Sequence, residues 1–242
     1  MSEFKIPTEE IELPSKGLVY PENNPLSSGK IEMKYMTAKE EDILTNQAYI
    51  KKGVVIDKLL QSLIVSKIDY NDLIIGDKNA LMIAARVLGY GKDYEFEYDG
   101  EKIEIDLSQL DPKPLDESKF PKGQNSFSFT LPATKTEITF KILTHKDENA
   151  ISKELEGLKK ISKNHSPELS TKLKYIITSI DGDPEDKTIR EFVDKYMLAQ
   201  DSRALRKHIE SFSPDIDLSF FPPGSGDSQS IPINLSFFWP DL

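Results

Sequence analysis

A diverged internal repeat constrains the fold of this chain more than any other feature of its sequence. Residues 31–44 read IEMKYMTAKEEDIL and residues 138–151 read ITFKILTHKDENAI. Each segment alternates apolar and polar residues, as a half-buried strand does, and then reaches a Thr with an acid three positions further on, which is typical of a helix start. The repeat predicts a strand followed by a helix capped at Thr37 in one copy and at Thr144 in the other.

Two further matches follow in the same order. DKNAL at 77–81 resembles DSRAL at 201–205, and IEIDLS at 103–108 resembles IPINLS at 231–236. The offset between the copies grows from 107 to 124 and then 128 residues, which predicts a longer helical insert in the second copy. Chance recurrence of a common strand–cap–helix pattern is the alternative. We predict an α+β fold of two diverged strand–helices–β-hairpin halves, mostly helical with small antiparallel hairpins.

The halves divide the chain into four segments. We expect an extended, Pro-bounded N-terminal arm over 1–29, a first half over 30–110, a Pro-rich linker over 111–125 and a second half over 126–242. In the first half the predicted elements are a strand over 30–36, helices near 38–51, 56–66 and 78–89, and strands over 93–98 and 102–108. Asp99-Gly100 between the last two strands is a strong hairpin signal.

The second half is predicted to have the same order of elements. They are strands over 126–131 and 136–143, helices near 146–163, 168–180, 186–198 and 202–211, and a C-terminal hairpin of IDLSFF and INLSFFW. In the last strand the two-residue period places Phe237 and Trp239 on one face with Ile231, Ile233 and Leu235. Phe221 and Phe238 fall on the opposite face, which needs a neighbour from the other half or from another subunit.

The composition excludes several classes of protein. The net charge of −10 disfavours nucleic acid and anionic lipid as partners. The absence of cysteine excludes disulfides, thiolate zinc sites and Cys nucleophiles. No apolar stretch approaches the length of a membrane span, and the N-terminal residues do not resemble a signal peptide. We expect a cytoplasmic protein that binds neither nucleic acid nor membrane.

A search for chemistry gives no catalytic residues, metal ligands or cofactor-binding residues. His145, His165 and His208 are scattered and match no metal-binding or triad pattern. The acidic segment at 181–186 lacks the Gly and the final acid of an EF-hand loop, so we interpret it as a turn before a helix. Gly89 and Gly91 follow a helix instead of preceding one, which is the wrong order for a phosphate cradle. The chain is therefore predicted not to be an enzyme and to need no cofactor.

An ordered set of segments resembles the baseplate proteins of T-even-type contractile-tailed phages. The segments are LPSKGLVYP, GKIEMKYMTAKEEDIL, IDKLLQSLI, GDKNALMIAARVLGYG and IDLSQL, then LP before ITFKILTHKDE, and the terminal LSFFWPDL. The resemblance covers most of residues 11–151 and the last strand and is weakest over 152–215. Many members of that family carry a Cys-x-x-Cys knuckle at a hairpin tip. This chain has no cysteine, so the family's zinc site is not carried over.

The resemblance implies a non-enzymatic component or assembly factor of the baseplate hub. Its partners would be other hub or tail proteins, with a homo-oligomer left open, and its place the host cytoplasm during assembly or the tail baseplate of the virion. Pro14, Tyr20, Phe238 and Trp239 are the predicted partner contacts. A transient tail-assembly chaperone absent from the mature virion is the first alternative, and a carboxylate-dependent hydrolase is the second.

Overall fold

A computed structural model describes residues 5–161, 167–222, 224 and 226–238. Over these residues the chain forms eight α-helices and four small antiparallel sheets of two or three strands. The predicted α+β class is confirmed.

The first sheet joins the N-terminal segment to the first repeat. β1 (Thr8–Glu12) pairs antiparallel with β2 (Lys30–Lys34), and a short 3-10 helix, Pro25–Ser28, leads back between them. The alternation read from the sequence buries Ile31 and Met33 on one face. The segment that was expected to be an arm therefore pairs with and packs on the first half.

Four helices follow in the first half, which are α1 (Ala38–Leu44), α2 (Gln47–Lys51), α3 (Val55–Leu63) and α4 (Ile75–Tyr90). The prediction of one helix over 38–51 was wrong, because the Asn46 side chain accepts hydrogen bonds from Ala48 N and Tyr49 N and starts a new helix. The half ends in the predicted hairpin, β3 (Asp93–Tyr98) and β4 (Glu101–Asp106). Asp99 and Gly100 both have positive φ, as a tight hairpin turn requires.

The second half begins with a three-stranded sheet of β5 (Phe127–Thr130), β6 (Glu137–Phe140) and β7 (Ile177–Ile180), in that order. Between β6 and β7 lie α5 (His145–Ile161) and α6 (Glu168–Ile176). The predicted helix over 168–180 was wrong beyond Ile176, because the run Ile-Thr-Ser-Ile, in which three of the four residues are β-branched, pairs with β6 instead.

The remaining elements are α7 (Asp186–Lys195), α8 (Ala199–Phe212), the two-residue strands β8 (Ser219–Phe220) and β9 (Gln229–Ser230), and a 3-10 helix, Leu235–Phe238. The predicted last strand, INLSFFW, was therefore wrong over its described residues, because β9 ends at Ser230 before it begins. The Asn234 side chain accepts hydrogen bonds from Ser236 Oγ and Phe237 N, and this local bonding replaces a strand ladder. Helical geometry then buries both Phe237 and Phe238, which the strand pattern had placed on opposite faces.

The C-terminal aromatic residues pack against the hairpin of the first half. The Phe237 ring lies edge-on to Tyr94 with centroids 4.8 Å apart, and Phe220 lies edge-on to Phe96 at 5.1 Å. Tyr94 also donates a hydrogen bond to the Pro232 carbonyl. The apolar end of the chain thus completes a core shared by the two halves.

Candidate interaction surface

Three of the four predicted partner contacts lie inside the chain. Pro14 and Phe238 are buried, and Tyr20 is only 4% exposed. Trp239 lies outside the described residues. The proposed contact role of these residues stays a prediction, and in this conformation Pro14, Tyr20 and Phe238 serve the internal core.

Tyr20 belongs to a buried cluster centred on Asp77. The Asp77 carboxylate accepts hydrogen bonds from Ser15 N (2.9 Å), Ser15 Oγ (2.7 Å) and Tyr20 Oη (2.6 Å). Burial raises the pKa of Asp77 to about 6 against the opposing effect of these donors. Burial, together with the neighbouring Asp77, also raises the pKa of Tyr20. The cluster fixes the turn after Leu13-Pro14 to the start of α4.

The second half repeats this arrangement. Asp201 is fully buried and accepts hydrogen bonds from Ala133 N (2.7 Å) and Thr134 N (3.1 Å), in the turn after Leu131-Pro132. Each of these two buried carboxylates is the third residue of its helix. Each buried carboxylate accepts hydrogen bonds from a turn and holds that turn in place. Neither Asp77 nor Asp201 therefore needs a catalytic role to explain its burial.

The strand–Thr–helix repeat is also reproduced in its contacts. In the first copy Glu40 accepts hydrogen bonds from Thr37 N and Oγ1 and from Lys34 Nζ at 2.8 Å. In the second copy Asp147 accepts the same three bonds from Thr144 and Lys141, the latter at 2.7 Å. The two halves therefore share their helix-cap chemistry.

The halves meet where the start of α5 lies against the start of α4. Ile75 N donates to Leu143 O at 3.2 Å and His145 N donates to Leu73 O at 2.8 Å. Ile74, between these two bonds, is completely buried. This short backbone pairing fixes the position of the second half on the first.

Charged side chains surround that junction. Lys78 Nζ lies 2.9 Å from Asp57 Oδ1 and 3.2 Å from Glu148 Oε2, and it also contacts His145. Burial raises the pKa of Glu148, but hydrogen bonds and charges from His145 and Lys78 outweigh it and lower the pKa. Tyr70 lies edge-on to the His145 ring. Burial, with Asp57 nearby, raises the pKa of Tyr70. His145 is therefore accounted for by packing at the junction.

An open, mainly apolar groove lies between α6, α7 and α8. It has a volume of about 380 Å³. Its walls comprise Pro167, Glu168, Leu169, Ser170, Leu173, Val193, Met197, Ala199 and Ser202. Leu169 lies in its wall, and Tyr196 and Leu198 are the sequence neighbours of the wall residue Met197; all three large side chains remain about half exposed. Ser202 is 8% exposed, and its Oγ has no hydrogen-bond partner in the described part of the chain.

The groove gave no clear signal in the sequence. Its walls come from three helices that meet only in the fold, and the resemblance is weakest over the segment that supplies them. Tyr196 and Leu198 are exposed, but in the sequence they fall at the end of the predicted helix over 186–198, where they do not indicate a groove. The groove is an open apolar surface, and Pro14, Tyr20 and Phe238 are not among its walls.

Other candidate chemistry has a structural explanation. His208 stacks on Phe129 and Phe212, and burial lowers its pKa. Asp183 accepts hydrogen bonds from Glu185 N and Thr188 Oγ1, as a helix-starting turn does. His165 lies outside the described residues. Within the described ranges no group of three or more His, Asp or Glu side chains could hold a metal ion.

Comparisons with known proteins add no assignment. Neither protein-family models, nor curated proteins, nor solved structures gave a match to this chain. None of the helices in the described segments has the length and apolar character needed to cross a bilayer.

Proposed function

We propose that the protein is a non-enzymatic component or assembly factor of a phage tail baseplate hub and acts through protein–protein contacts. The ordered segments that resemble T-even-type baseplate proteins support the biological setting. The groove between α6, α7 and α8 is the structural observation that carries the contact role, because exposed clustered apolar side chains mark interaction sites.

The features of the described core agree with this role. The two buried acids, Asp77 and Asp201, and the buried His145 are engaged in hydrogen bonds or packing that fix turns and the junction between halves. The hydrolase alternative needs two converging carboxylates with separated pKa values. A polar cleft does contain Glu210, Asp215 and Asp217. There Asp215 binds Asn79, and hydrogen bonds from Ser219 lower the pKa of Asp217, which favours a structural use.

Mass spectrometry of purified mature particles and of assembly intermediates tests the proposal. Presence in both preparations would identify a structural hub subunit, and presence only in intermediates would identify a transient assembly factor. Deletion of the gene is expected to abolish assembled baseplates. Intact baseplates after deletion, or absence of the protein from both preparations, would overturn the proposal.

A further inference from the structure

The groove occupies the position in the second half that α5 covers in the first half. Asp77 and Asp201 are the third residues of α4 and α8, so Ile74 corresponds to Leu198 and Lys78 to Ser202. Helices α3 and α6 are both nine residues long. The residue that follows α3 pairs with β2, and the residue that follows α6 pairs with β6. Superposing the two helices on this basis matches Asp57 with Ser170. In the first half the first turn of α5 and its cap Thr144 pack against Asp57, Ile74 and Lys78.

Exposure of the corresponding residues shows that no described segment covers the wall in the second half. Ile74 is 0% exposed, whereas Leu198 is 51% exposed. Lys78 contacts Glu148 and His145, whereas Ser202 Oγ has no partner among the described atoms. Ser170 and Ser202 both line the groove. The groove is thus the counterpart, in the second half, of the surface that α5 covers in the first half.

The segment that would fill it is also present in the chain. The first turn of α5 corresponds through the repeat to the first turn of α1, which matches Thr144 with Thr37, His145 with Ala38 and Glu148 with Glu41. Ala38, Lys39 and Glu41 are exposed. The start of α1 is therefore accessible, and it has the same cap contacts as the segment that docks at the junction.

Backbone groups are complementary between the two surfaces. At the junction, two hydrogen bonds join Leu73 O to His145 N and Ile75 N to Leu143 O. The corresponding groups are Met197 O and Ala199 N on the groove, and Ala38 N and Met36 O at the start of α1. Across the described ranges none of these four has a hydrogen-bond partner. Two copies of the chain supply the matching donors and acceptors.

We propose that the protein self-associates head to tail, with the start of α1 of one copy docked in the groove between α6, α7 and α8 of the next. The inference rests on the proposed role in protein contacts and names the partner at this surface as a second copy of the chain. The interface is heterologous, since one patch binds a different patch, so a pair of copies keeps one free groove and one free α1 start. Such contacts build rings or open filaments.

Proline substitutions at the first residue of each helix test the interface. Ala199→Pro removes the groove donor and Ala38→Pro removes the donor of α1. Proline is tolerated at the first helical position, and the preceding residues, Leu198 and Thr37, already have the extended backbone that proline requires. Gln47→Pro, at the exposed start of α2, is the matched control because it makes the same change away from both surfaces.

Sedimentation velocity of the full chain over a range of concentrations gives the result. The wild type and Gln47→Pro are expected to form species larger than one chain, whereas Ala199→Pro and Ala38→Pro each stay monomeric. A mixture of the two monomeric variants is expected to form dimers and nothing larger, because each variant retains one intact surface. Leu198→Asp, between the wall residues Met197 and Ala199, is a second variant that leaves the Ala199 N donor in place, and it is also expected to be monomeric.

A wild-type chain that is monomeric at every concentration would overturn the inference. So would an Ala199→Pro variant that associates as strongly as the wild type. A mixture of the two proline variants that forms no dimers would overturn it as well. Circular dichroism confirms that the variants fold. The proposed function fails separately, through intact baseplates after deletion. A monomeric chain that is still required for baseplates would refute only the self-association.

Discussion

Asp77 and Asp201 lie at the same position of two helices and bind the same kind of turn. Each is buried at the third residue of its helix, and each accepts backbone hydrogen bonds from the turn that follows a Leu-Pro pair. The carboxylate compensates the helix N-terminus and satisfies turn N–H groups that burial would otherwise leave without partners. These hydrogen bonds connect each turn to a helix more than 60 residues later in the sequence.

Replacing Asp77 by Ala is expected to destabilise the protein strongly. The change leaves Ser15 N, Ser15 Oγ and Tyr20 Oη buried without their acceptor, and we expect a loss of about 2–4 kcal/mol in the free energy of unfolding. Urea denaturation at neutral pH measures it. Asp42→Ala, at an exposed site in α1, is the control and should change the free energy by less than about 0.5 kcal/mol. Equal losses in the two variants would contradict the role of Asp77.

The pH dependence of stability should reveal the ionisation of Asp77. Burial raises its folded-state pKa from 3.8 to about 6, so the folded state binds this proton more tightly than the unfolded state. The contribution of Asp77 is then most favourable below pH 3.8 and falls as pH rises through 6, by about 3 kcal/mol in total. The stability difference between wild type and Asp77→Asn should shrink over that window. A difference that grows with pH would show that the carboxylate is not raised in pKa.

Glu40 is expected to show the opposite dependence. Burial raises its pKa, but hydrogen bonds from Lys34, Thr37 and Ser62 outweigh burial and lower the pKa from 4.5 to about 2. Its stabilising contribution is present above pH 4.5 and is lost as pH falls towards 2, by about 3 kcal/mol. The stability difference between wild type and Glu40→Gln should therefore grow as pH rises from 2 to 4.5. A flat difference would mean that the hydrogen bonds do not favour the ionised form.

Lys78 is predicted to hold the two halves together. Lys78→Ala leaves Asp57 and Glu148 close together without their shared cation at a partly buried junction, and we expect a loss of about 1–3 kcal/mol in the free energy of unfolding. Lys146→Ala is the control, since Lys146 is exposed on α5 near the junction and has no ion pair among the described residues. Hydrogen exchange should also show faster exchange at the His145 N–H in Lys78→Ala. Unchanged exchange there would place the role of Lys78 elsewhere.

Local sequence signals predicted the parts of the fold that local chemistry determines. Alternation at Ile31 and Met33, the cap at Thr37 and the turn at Asp99-Gly100 were each sufficient for their elements, because one or two residues fix the geometry. The boundary at Ile177 and the 3-10 helix after Asn234 were missed. In the first case the neighbouring β6 favours a strand, and in the second a side-chain hydrogen bond competes with the ladder.

The candidate site was much less predictable. Aromatic character at Phe238 suggested a partner contact, but the fold buries this side chain in a core shared between the halves. Leu198 is 51% exposed because no described segment covers it in the way that the first turn of α5 covers Ile74. Such an absence becomes visible only when the two halves are compared in three dimensions.

Burial of the Phe237 ring against Tyr94 should be a major contributor to stability. Phe237→Ala removes a fully buried ring from the core shared by the halves, and we expect a loss of about 3–5 kcal/mol in the free energy of unfolding. A double-mutant cycle with Tyr94→Ala should give a coupling of about 0.5–1.5 kcal/mol for the edge-on pair at 4.8 Å. Phe221→Ala is the matched control, because Phe221 is 71% exposed, and should cost less than about 0.5 kcal/mol. If Phe237→Ala were as mild as Phe221→Ala, the C-terminal segment would not be part of the core, and its aromatic residues would again be candidates for a partner contact.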